Sequence, residues 1–127
     1  MDESELKHRT KPFALRAMKL VGAPPETMAG RTIGNQLVRS ATSVEANDRS
    51  ACRGRSKPEF VAKLGMVVEE GDESGYWLEL IIEGELLKNA LVAPLLTEAS
   101  ELTAIMVASR KTAQSSIQTR KSRITNV

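Results

Sequence analysis

The sequence predicts an all-α protein, an antiparallel up-down bundle of four helices whose copies join into a ring-like homo-oligomer. Three observations carry the fold. Apolar residues recur every three or four positions in four separate segments, the spacing of one helical face. Aromatic residues make up 3% of the 127 residues, so the core is built from Leu, Val, Ile, Met and Ala, whereas strands favour aromatic and β-branched residues. Proline and glycine clusters fall between the segments, and no strand-like alternation competes with them. Four amphipathic helices with short connections bury their stripes against one another.

The first helix is expected over Lys11 to Val21, capped by Thr10 with Pro12 in its first turn. The segment "GAPPET" ends it. The second is expected from Met28 to Arg53, with Ile33, Leu37, Ser40, Val44, Asn47 and Ala51 on the inner face. Asn47 is then a buried polar residue, and such residues fix helix register through their hydrogen bonds. A ligand contact is its alternative role. Ser56-Lys57-Pro58-Glu59 reads as a capping box and starts the third helix, which is expected to reach Lys88. Gly71 and Gly75 each weaken that helix by about 1 kcal/mol relative to Ala, so a neighbouring backbone is expected against them. The fourth helix is expected from about Pro94 to Ala113, along Leu95, Ala99, Leu102 and Met106. Residues 1–116 therefore form one domain, and residues 117–127 a basic, disordered tail.

The net charge of +2 hides segregation along the chain. Residues 31–57 hold six bases against two acids, residues 69–85 seven acids and no base, and residues 110–127 five bases and no acid. At about 100° per residue, Arg31, Arg39, Arg49 and Arg53 fall opposite the inner face of the second helix, and Arg55 follows in the turn. This stripe has three candidate counterparts: water alone, RNA or DNA, or another copy of the chain. Nucleic acid would be held through its phosphates, although few aromatics are available to stack on bases. For self-association the counter-surface is the third helix, where Met66, Glu70, Glu73, Trp77 and Leu80 share a side away from its core stripe. Unlike surfaces meeting head to tail close into rings.

Composition excludes several classes. No apolar run approaches the roughly 20 residues that cross a bilayer, and the N-terminus has no secretion-signal pattern. A single cysteine, Cys52, fits a reducing cytoplasm. One His and one Cys cannot build a His/Cys metal site, and a nucleophilic pair would require His8 to meet Cys52 across the fold. The acids Glu69, Glu70, Asp72 and Glu73 lack the E-x-x-H spacing of bundle metal sites, and "GRTIGN" lacks a phosphate-loop lysine. A non-enzymatic protein without cofactor or metal is expected.

The stretch Ile33 to Ile81 resembles the bacterial four helix bundle proteins first found in intervening sequences of 23S ribosomal RNA genes. The residues that carry the resemblance are Gln36, Arg39-Ser40, Ser43-Val44, Ala46-Asn47, Arg49, Ala51, Arg55-Ser56, Glu59-Phe60, Lys63, Glu69-Glu70, Asp72-Glu73-Ser74 and Tyr76 to Leu80. The resemblance implies a homopentameric ring. It also implies relatives that serve diversity-generating retroelements by binding a reverse transcriptase and nucleic acid through a basic surface. A nucleic-acid or ribonucleoprotein-binding scaffold is thus the expected function. Its alternative is a protein-binding adaptor whose arginines serve only its own oligomer interface.

Overall fold

The computed structural model describes residues 3–22 and 27–125, with burial and side-chain contacts over 9–22 and 27–121. Four helices account for them: α1 (Glu3–Val21), α2 (Met28–Cys52), α3 (Lys57–Glu83) and α4 (Asn89–Thr125). No strand occurs among the described residues. α3 packs along both α2 and α4, while α1 lies mainly against α2 and more lightly against α4.

Local chemistry sets most boundaries. Thr27 caps α2, its hydroxyl accepting from the Gly30 amide at 3.0 Å. Ser56 caps α3 by accepting from the Glu59 amide at 3.2 Å, as the sequence predicts. The return arm of the box differs: the Glu59 carboxylate accepts from the amide of Arg55, not of Ser56. α3 stops at Glu83 rather than Lys88 because the next residues form a Schellman turn. There Leu86 donates to the Ile81 carbonyl and Glu85 to that of Ile82. Glu85 takes the left-handed conformation of this turn (φ 53°), the place glycine usually fills.

Both outer helices exceed their sequence limits. α1 starts at Glu3, which leaves Pro12 inside the helix and Thr10 in mid-helix rather than at a cap. Thr10 is 1% exposed, and its hydroxyl donates to Asp48 Oδ2 on α2 at 3.1 Å. That tertiary contact uses Thr10 from inside the helix. Replacing Thr10 with Val keeps the shape but deprives a buried carboxylate of one donor. A loss of about 1–3 kcal/mol is expected in urea unfolding, and a change below about 0.5 kcal/mol would show the bond to be dispensable.

α4 begins before Pro94, at Asn89, and its helical backbone continues through residues 117–125, well past Ala113. By length and composition it could span a bilayer, with a mean hydropathy of 1.5 in its most apolar window. Five of its apolar residues are used otherwise here, while Leu91 and Val107 stay exposed. Val92, Leu95, Ala99, Leu102 and Met106 close the core, and Glu98 and Glu101 on the α1 side both accept from Arg9.

The core comprises Phe13 and Ala17 of α1, Leu37, Ala41, Val44 and Ala51 of α2, and Leu64, Val67, Leu78 and Ile81 of α3, together with the α4 residues just named. Its centre is keyed by small groups. Ser74 donates to the hydroxyl of Ser40 at 2.9 Å between α3 and α2. A Cβ built on Gly71 would stand 2.4 Å from Thr103 Oγ1, so the close neighbour expected from sequence is a side chain of α4. Gly75 is different, since a Cβ there would meet nothing nearer than Leu96 at 3.9 Å.

Candidate nucleic-acid interface

The structure divides the arginine stripe. Arg31, Arg49, Arg53 and Arg55 are exposed, and none of them makes an ion pair among the described residues. Arg31 lies about 27 Å from Arg49 along α2, at ~1.5 Å per residue. Arg49, Arg53 and Arg55 by contrast cluster where α2 turns into α3.

Arg39 does not belong with them. Its Nη1 lies 3.2 Å from Glu70 Oε2, its Nη2 bonds Glu73, and its Nε donates to Gln36 at 2.9 Å. The hydrogen bond to Glu73 is the largest of several effects that raise its pKa above the ordinary guanidinium value. Trp77 Nε1 donates to the same Glu73 carboxylate at 3.3 Å. The sequence places Arg39 on the outer stripe and both acids on an oligomer face, but the flank between α2 and α3 brings them together within one chain. Exposed pairs of this kind contribute about 0–1 kcal/mol each. Of the five expected interface residues, Met66 remains open at 48% exposure, whereas Glu70, Glu73, Trp77 and Leu80 are partly covered.

Asn47 is also displaced from its expected position. It is half-buried and donates to the Ser43 carbonyl one turn back, at 2.9 Å. The buried polar residue of α2 that reaches across to α1 is Asp48, 2% exposed. A carboxylate is the residue that sequence reasoning puts last in a core. Thr10 on another helix makes its burial tolerable.

Two adjoining grooves, of about 830 Å³ and 790 Å³, open where α4 runs past the α2–α3 turn. They share Arg55, Ser56, Lys57 and Ser116, and the second adds Arg120 and Lys121. No acid lines either groove. Lys57 Nζ donates to Ser116 Oγ, joining the start of α3 to α4. Phe60 and Ile105 provide apolar floor in the first groove and Ile117 in the second. Cations, hydroxyls and a little apolar surface together suit a phosphate-bearing strand. Lys57, Arg120 and Lys121 join Arg55 here because α4 is longer than its apolar pattern indicates. The capping box, which puts Lys57 at the head of α3, is the one sequence signal that could have placed it. Arg110 is occupied elsewhere, its Nε donating to the Val61 carbonyl at 3.2 Å.

No group of three His, Cys, Asp or Glu residues converges as a metal site among the described residues. The side chain of His8 lies outside them, so a contact with the half-buried Cys52 does too.

Known proteins supply a context for this geometry. A solved structure from Bacteroides thetaiotaomicron, a protein of unknown function from the S23 ribosomal protein family, superposes with a TM-score of 0.75. It is 26% identical, and the match covers 87% of this chain and 99% of that one. No curated protein sequence matches. The family model of the 23S rRNA-intervening sequence proteins matches residues 3–108, a span that takes in α1, α2, α3 and the core-forming part of α4. The chain therefore belongs to the 23S rRNA-intervening sequence protein family.

Proposed function

We propose that this protein is a non-enzymatic cytoplasmic scaffold that binds nucleic acid, or a ribonucleoprotein, through the basic end of an antiparallel up-down bundle. The observation that carries this reading is the groove system at the α2–α3 turn. Arg55, Lys57, Arg120 and Lys121 line it without an acid, and the exposed Arg49 and Arg53 lie just before the turn. Arg31 extends the field along α2 as an outlying cation. The scaffold acts as a homo-oligomer, a pentameric ring by the family resemblance, which would repeat the basic end around an axis and multiply weak phosphate contacts. The contact order supports the up-down arrangement. Gly65, Gly71 and Gly75 of α3 face Arg110, Thr103 and Leu96 of α4 in reverse sequence. Thr10 and Val21 of α1 likewise face Asp48 and Gly34 of α2.

The test is binding of labelled single-stranded and duplex RNA and DNA, followed by fluorescence anisotropy across a salt series. The logarithm of affinity should fall linearly with the logarithm of salt, by about 0.7–0.9 per phosphate contacted. Changing Arg49, Arg53 and Arg55 together to Glu should weaken binding at least roughly tenfold and flatten that slope. An affinity indifferent to salt would overturn the reading. Dissociation of the triple variant into monomers would instead assign these arginines to an intersubunit contact.

A further inference from the structure

Two faces away from the basic end are complementary. On α1, Lys11, Leu15, Met18 and Lys19 project within about 100° of one another at ~100° per residue. All four are exposed, Leu15 by 55% and Met18 by 51%. Arg16 borders this face, and no acid occurs between Arg9 and Val21. On α3, Glu69, Asp72, Tyr76, Glu79 and Glu83 form an exposed stripe within about 80°. Beside it a groove of about 500 Å³ separates α3 from α4, with Gly75 and Ala104 in its floor. Asp72 and Glu79 line it, along with Tyr76 (51% exposed) and Val107 (41%).

We infer that the outer face of α1 of one copy docks into the α3–α4 groove of another, Leu15 and Met18 entering beside Gly75 while Lys11 and Lys19 meet Asp72 and Glu79. Charge selects this pairing. Two grooves face to face would oppose carboxylates, and two α1 faces would oppose ammonium groups, both costly. Only the unlike pairing buries apolar surface on both sides with opposite charges at its rim. The contact is heterologous, so an open chain of copies keeps one free α1 face at one end and one free groove at the other until a ring closes. It does not depend on nucleic-acid binding, because the basic end contributes none of these residues. It also replaces the Met66–Trp77 side of α3, whose acids Arg39 already holds.

Sedimentation velocity of the full chain tests it. Wild type should be oligomeric at micromolar concentration. Lys11→Glu with Lys19→Glu should weaken self-association tenfold or more, and so should Asp72→Lys with Glu79→Lys. Mixing these two double variants should restore association between unlike variants, since the acidic α1 of one fits the basic groove of the other. The assemblies should be open or even-numbered, because strict alternation cannot close a ring of five. Gly75→Leu fills the groove floor and should likewise give monomers, with circular dichroism verifying the fold. A monomeric wild type, an oligomer untouched by all three changes, or variants that stay apart when mixed would overturn the inference.

Discussion

Replacing Phe13 with Ala should lower the unfolding free energy by about 3–5 kcal/mol, the largest loss expected from any single side chain here. Phe13 is the only aromatic ring of the described residues that is buried completely, at 1% exposure. With Val44, Val67, Ala99, Leu102 and Met106 it lines the small central space where the four helices converge. No void there is large enough to hold a water. Truncation would thus remove transfer free energy and leave an apolar cavity that the stiff surrounding helices fill only in part. Set against a typical total of 5–15 kcal/mol, the variant would approach the limit of folding. In urea the midpoint should fall with little change in slope, as for a two-state domain of this size. A loss under about 1.5 kcal/mol would mean that the bundle collapses around the gap and that Phe13 is not its keystone.

The second large effect is expected at Gly71, and its sign opposes helix propensity. Alanine should strengthen an exposed helix by up to about 1 kcal/mol. At Gly71 the added methyl would stand 2.4 Å from Thr103 Oγ1. Thr103 is β-branched and donates to the Ala99 carbonyl at 2.8 Å, so moving it costs a rotamer and a hydrogen bond. Overpacking of this kind costs about 1–3 kcal/mol, so Gly71→Ala should be destabilising. Adding Thr103→Ala should recover most of the loss, a coupling that a double-mutant cycle would measure. Gly75→Ala, one turn along the same helix, should stabilise by about 0.5–1 kcal/mol because its neighbour is 3.9 Å away. Equal responses at the two glycines would mean that only backbone entropy matters.

Much of this architecture is visible in the chain itself. The apolar periods give four helices, Ser56 marks the start of one, and Leu37, Val44, Leu64, Leu78, Leu95 and Met106 are buried as their spacing requires. What escapes are features decided by a second helix. On a wheel begun at Arg31, Asn47 and Asp48 stand at about 160° and 260°, on opposite sides of Val44 near 220°. Their own helix does not choose between them, and Thr10 does. Arg39, about 40° from Arg53 at that same helical rotation, points toward α3, and only the position of Glu70 and Glu73 reveals it. The length of α4 is hidden because its last turns are not on an apolar stripe. The groove at the basic end is hidden with it.

Several of the contacts that join α2 and α4 to α3 fall between Glu70 and Ser74. Glu70 and Glu73 hold Arg39, Ser74 holds Ser40, and Gly71 receives Thr103. Mechanically this is a waist. A second tie lies at the basic end, where Lys57 donates to Ser116 and Arg110 donates to the Val61 carbonyl. Fastened at two levels, α3 and α4 fix the spacing of Lys57, Arg120 and Lys121 across the basic groove.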